Sequence, residues 1–124
     1  MNEQELVEKW LSVFGEGVDQ ASLEEHVTSY GNYLWHLFSW EYVSCLEKDE
    51  ARNAFDALQY IEAIRFCGGY NSVIENISVV EKVSAQQMDD EDCSDVYIVA
   101  KDFSWTYVRT HETVMCGPYL CMKK

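Results

Sequence analysis

The chain has 124 residues, 48% of them hydrophobic and 14% aromatic, with 22 acidic against 9 basic side chains and a formal net charge of −13. That size and apolar content suit one domain with its own core, residues 1–124, and argue against disorder. The charge repels nucleic-acid phosphates and anionic lipid and attracts a basic protein, and no apolar run approaches the roughly 20 residues that span a bilayer.

Asn2, with Glu5 three residues on, marks a helix start, and Leu6, Val7, Trp10, Leu11 and Phe14 recur on one helical face until Gly15 and Gly17. Ser22 and Glu25 have capping-box spacing, which predicts a second, short helix with Leu23, Val27 and Tyr30 inward, stopped by Gly31-Asn32. Tyr33 to Trp40 is almost wholly apolar, so period does not separate a buried strand from a helical turn; length and aromatic content point to a strand. Asp49 then caps a third helix carrying Ala51, Ala54, Phe55 and Leu58 on one face, and Tyr60 to Cys67 reads as a strand closed by Gly68-Gly69.

In Asn71 to Ser84, Val73, Ile77 and Val80 fit a helix while Ile77, Val79 and Val83 fit a strand; a short strand near Ile77 to Val83 is expected. Asp89 to Asp92 reads as an acidic loop. Val96 to Ala100 and Phe103 to Thr110 are β-branched and aromatic, and Lys101-Asp102 between them predicts a tight hairpin. The expected architecture is α+β: an antiparallel sheet of about four strands with the N-terminal helices packed on one face.

Two aromatic-rich blocks, Tyr33 to Trp40 and Asp102 to Glu112, with Gly117-Pro118-Tyr119 close behind, hold three of the four Trp and two of the three His. Trp35-His36-x-Phe38-Ser39-Trp40, Asp95-Val96-Tyr97, Phe103-Ser104-Trp105-Thr106, Thr110-His111-Glu112 and Gly117-Pro118-Tyr119 follow one another along the chain. Together they resemble the motifs of an uncharacterised family of small bacterial proteins, found mostly in bacilli and relatives, over most of the chain. The resemblance implies a bacterial cytoplasmic protein and a shared fold; it assigns no residue a role.

On a regular strand from Phe103 to Glu112, Phe103, Trp105, Tyr107, Arg109 and His111 share one face. That face fits a pocket with an aromatic floor and a rim of Arg109 and His111; it also fits plain core packing with both polar ends in water. His36, His111 and Glu112 are zinc-type ligands, but no H-E-x-x-H spacing joins them, so no metal and no cofactor is expected. Cys45 or Cys116 with His36 or His111 permits only an arbitrary nucleophile pairing, and Ser104, His111 and Asp102 lack the glycines of a nucleophile elbow. Five Cys without a C-x-x-C pair, behind a polar acidic N-terminus with no secretory leader, predict reduced, mostly buried thiols in a cytoplasmic protein. An EF-hand loop beginning at Asp90 would place Asp95 where Gly is required and Lys101 where Glu is required, so Asp89 to Asp92 is a solvated acidic run.

Two functional classes follow. The first is a protein-interaction module for a basic partner, for example an immunity-type protein that neutralises a basic toxin, using the acidic run with Glu47, Asp49 and Glu50. The second is a small enzyme or small-molecule binder with a pocket around His36, Trp105 and His111. The binding candidates are His36, Trp40, Trp105, Arg109, His111, Glu112 and Tyr119.

Overall fold

A computed structural model describes residues 2–29, 33–59, 62–67, 74–78, 83–91, 95–112 and 115–123. The described residues form five helices and six strands, gathered into two compact units, Met1–Ser44 and Cys45–Lys124.

The first unit is helical. Helix α1, Glu3–Phe14, opens on the expected capping box: Asn2 Oδ1 accepts the Glu5 N–H at 2.8 Å, and Glu5 accepts the Asn2 N–H at 3.0 Å. Leu6, Trp10 and Phe14 are its buried stripe, and the Trp10 ring meets Phe14 and Phe38 edge-on or tilted, at centroid separations of 5.4 and 5.8 Å. Helix α2, Gln20–His26, starts three residues earlier than the Ser22–Glu25 pattern predicts. Asp19 is its cap: one carboxylate oxygen accepts the Ser22 N–H at 3.1 Å and the other the Ser22 hydroxyl at 2.8 Å. A carboxylate at the positive end of a helix outcompetes a hydroxyl one turn inside it. Val27 is buried as expected, whereas Tyr30, Gly31 and Asn32 lie outside the described residues.

The aromatic block is not a strand. Tyr33 to Trp40 makes a turn and a single turn of helix, α3, His36–Ser39. Its eight residues include no Val, Ile or Thr, so nothing in the block favours an extended backbone over a tight turn. Glu41, at φ 59°, stops the helix in the left-handed region and turns the chain away.

In the second unit, strands β1 (Leu46–Glu47), β2 (Glu62–Cys67), β3 (Glu75–Ser78), β4 (Val96–Ala100), β5 (Trp105–Arg109) and β6 (Tyr119–Met122) form one antiparallel sheet in the order β1-β6-β5-β4-β2-β3. The α+β class and antiparallel pairing are as expected, with five strands of four residues or more where about four were anticipated. The loop between β4 and β5 spans Lys101 to Ser104, so Phe103 sits in the turn at φ 60° and leaves the aromatic face of β5 to Trp105, Tyr107 and Arg109. Strand β3 begins two residues before the expected start at Ile77; Val79 to Lys82 lie outside the described residues, as do Tyr60, Ile61, Gly68, Gly69 and Val73.

Helices α4, Lys48–Ala57, and α5, Ala85–Glu91, pack against each other, and α4 lies on β1 and β6. Their Ala51, Phe55, Ala85 and Met88 close over Ala63, Val96, Ile98, Ala100, Trp105, Tyr107 and Leu120 from the sheet. Across the sheet, Tyr97 is in register with Phe66 and stacks on it at 5.0 Å. All five residues of β4 are buried, the pattern of a central strand covered on both faces. The acidic run expected as a loop is largely helical: Asp89 to Glu91 end α5, and Asp92 lies outside the described residues. Met88 supplies the apolar anchor that makes this segment helical, one turn after Ala85 on the same face.

Candidate functional site

The hairpin β4–β5 brings the residue before its first strand beside the residues after its second. Asp95, only 6% exposed, accepts both the backbone N–H of His111 at 2.8 Å and its ring Nδ1 at 2.9 Å through the same Oδ1. Both donors are satisfied if Nδ1 carries the ring proton, which leaves His111 Nε2 on the side of Glu112, 3.6 Å from its carboxylate. A carboxylate-oriented histidine with an accessible Nε2 has the form of a general base. The neighbouring Thr110 hydroxyl is committed to the backbone: it donates to the Cys116 carbonyl at 2.6 Å and accepts the Glu112 N–H at 3.2 Å. The arrangement is a clasp that ties off the open end of the hairpin.

Arg109 faces inward. Its side chain is 9% exposed, with Nε 3.8 Å from Asp89 Oδ1, while Asp89 Oδ2 accepts Arg52 Nε at 2.8 Å and Arg52 Nη1 reaches Asp49 at 3.0 Å. Asp89 is therefore a bridge between α4, α5 and β5, and not the solvated steering charge that the acidic run suggested. The Tyr107 hydroxyl lies within electrostatic reach of Asp89, Arg52, Asp56 and Arg109, and burial pushes its pKa up.

Trp105 and His111 sit at opposite ends of β5, six residues or roughly 20 Å apart along an extended chain. Trp105 packs against Phe55 and forms the inner wall of a cleft of about 480 Å³ with Leu58, Glu62, Lys101, Asp102 and Met122. Lys101 Nζ is 3.4 Å from Glu62, and Asp102, whose pKa the Ser104 hydroxyl and N–H lower, holds the turn. Ser104 and Asp102 thus lie at this end, away from His111. Tyr119 is buried in β6 with its pKa pushed up by burial, and a side chain at Gly117, φ 79°, would come within 3.0 Å of its ring.

His36 and Trp40 belong to the helical unit. His36 Nδ1 lies 3.1 Å from the His26 carbonyl and 3.5 Å from the Tyr33 N–H, which ties α3 to the end of α2. Trp40 is 54% exposed and stacks on the His26 ring at 4.1 Å and 18°. His26 Nδ1 is 2.6 Å from the Tyr42 hydroxyl, and Nε2 is 3.8 Å from Glu25. His26 and Tyr42 were not nominated from sequence, because nothing local links residues 14 to 16 positions apart. Asp95 was legible in principle: a hairpin places it opposite the residues that follow the second strand.

Among the described residues, Cys45, Cys67, Cys116 and Cys121 are free thiols, with Cys121 buried and the others half-buried; Cys93 lies outside the described residues. Burial pushes the Cys45 pKa up to about 12, which leaves it without thiolate character at neutral pH. No three described His, Cys, Asp or Glu side chains converge on a common metal position, and no helix of the described residues is long and apolar enough to cross a membrane. No curated protein and no solved structure is significantly similar to the chain. The family described as a domain of unknown function, DUF4275, matches residues 4–120, a span that includes nearly all of both compact units. On that match, the chain belongs to the DUF4275 family.

Proposed function

We propose that the protein is an interaction module that docks a basic protein partner through the aromatic surface of its helical unit. Trp40 carries the reading. An indole left more than half exposed forgoes a large apolar burial, and tryptophan is enriched where partners anchor. Next to Trp40 in the chain is exposed Glu41, and exposed Glu25 lies 3.8 Å from the His26 ring on which Trp40 stacks; both share the sign of the whole chain. That charge speeds encounter with a cationic surface and rejects acidic ones. By contrast, Trp105, Arg109 and Tyr119 are engaged in the core and its ion pairs. The reading takes the chain as a bacterial cytoplasmic protein, and an immunity-type protein that neutralises a basic toxin is one form of it. The test is recovery of partners from a lysate of the host with the wild-type chain, followed by binding kinetics. Retained partners should be basic, should associate more slowly as salt rises, and should be lost with Trp40→Ala. Retention of the same partners by Trp40→Ala would end the assignment.

The cleft beside Trp105 favours a second reading, a small-molecule binder. Its apolar wall, its two carboxylates Glu62 and Asp102, and Lys101 suit a compact ligand with polar ends. A metabolite screen by thermal shift, repeated on Glu62→Gln and Asp102→Asn, tests it: a ligand whose stabilisation both variants abolish supports this reading over docking.

A further inference from the structure

We infer that the outer face of Trp40 is the seat of an arginine side chain, its guanidinium stacked on the indole and its charge answered by the carboxylates of Glu25 and Glu41. The inference rests on the docking reading and names the chemistry of its anchor.

The indole is held from behind. His26 covers one face at 4.1 Å and 18°, nearly parallel, and the 54% exposure of Trp40 leaves the rest of the ring to solvent. His26 is itself held by the Tyr42 hydroxyl, 2.6 Å from its Nδ1, with Glu25 3.8 Å from its Nε2, and the Tyr42 ring lies 6.1 Å away at 29°. The Trp40 backbone is pinned as well, its N–H donating to the His36 carbonyl at 3.0 Å just before the left-handed turn at Glu41. A flat ring fixed before the partner arrives loses little rotamer freedom on binding, which is what an anchor requires.

The chemistry of the surround selects the occupant. Exposed Glu25 and Glu41 disfavour phosphates and carboxylates and favour a cation. Among protein cations the guanidinium is planar, weakly hydrated and able to lie flat on an indole while its edge N–H groups reach carboxylates; an ammonium is compact and strongly hydrated and gains less from a flat surface. An arginine is therefore expected to bind better than a lysine of equal charge at this one position.

The test uses the full chain and two blocked glycine-serine peptides of equal length, one with four arginines and one with four lysines, titrated at low salt and followed by calorimetry and NMR. The arginine peptide should bind about two- to five-fold more tightly, the size of one exposed cation–π contact. Its side-chain methylene protons should show NOEs to the Trp40 ring. In Trp40→Ala the arginine peptide should lose its advantage and bind no more tightly than the lysine peptide does to the same variant, and Trp40→Phe should restore part of the difference. Equal binding of the two peptides by the wild type, or a preference that survives Trp40→Ala, overturns the arginine seat and leaves docking of a basic partner standing if Glu25→Gln with Glu41→Gln weakens both peptides. Binding of neither peptide overturns the seat and the docking reading together.

Discussion

The Phe55 ring of α4 lies flat on the Tyr107 ring of β5, with centroids 4.0 Å apart and planes 11° from parallel. Both rings are fully buried, so this stack is where the helical layer of the second unit meets its sheet. Phe55→Ala should cost about 3–5 kcal/mol, combining lost transfer energy with a cavity over Tyr107. Equilibrium denaturation measures it; a loss below about 1 kcal/mol would mean that α4 does not close on β5 in this way.

Neighbouring aspartates at the end of α5 should behave oppositely. Asp89 bonds Arg52 at 2.8 Å and faces Arg109, whose side chain has little access to water. Asp89→Ala removes the carboxylate that Arg52 bonds and Arg109 faces at a partly buried site, and should destabilise the fold by about 1–3 kcal/mol. Asp90 is exposed, and Asp90→Ala should stay within about 0.5 kcal/mol of wild type. Parallel denaturation of the two variants decides whether the run is an exposed charge patch or is split, as here, between structure and surface.

Periodic elements were legible in the sequence and crowded ones were not. Leu6, Trp10 and Phe14 announce α1 because one face is apolar and the other charged, and the β-branched run of β4 announces itself by composition. Tyr33 to Trp40 offers no such contrast, and its helical turn is set by the packing of Leu37 and Phe38. Helix α5 was hidden because Asp89, Asp90 and Glu91 read as solvent-facing, while the partner that buries Asp89, Arg52, is 37 residues away. The site residues show the same division. Sequence could nominate Trp40 and His111 by type, but their consequences depend on His26 and Asp95, which only the fold brings to them.

Alkaline conditions should weaken the protein. Burial raises the folded pKa of Cys45 to about 12 and also raises those of Cys121, Tyr107 and Tyr119. A raised acid stays neutral in the fold while its unfolded counterpart ionises, so its contribution is complete below the unfolded pKa, 9.0 for a thiol, and lost as pH climbs toward the folded value. Stability should therefore fall between about pH 9 and about pH 12, with phenolate absorbance appearing together with unfolding. Cys45→Ala should flatten that dependence, and wild-type Cys45 should react slowly with iodoacetamide at neutral pH. Phenolate formation in a protein that keeps its fold would count against the burial of both tyrosines.

The two compact units are expected to unfold as one domain. A helical unit of 44 residues has too little core to stand alone without staples, and the family match runs through both units. Trp10→Ala removes a fully buried tryptophan from the core of the helical unit and should cost about 3–5 kcal/mol. If folding is cooperative, that loss will be felt equally far along the chain: amide exchange at Ile98, Val99, Tyr107 and Val108, in the paired centre of β4 and β5, should accelerate by the same free energy. Those amides should also be among the slowest to exchange in the wild type, since they sit in the interior of the sheet with strands on either side. Loss of fluorescence signal from the helical unit at one denaturant concentration and of strand protection at another would divide the chain into two independent domains.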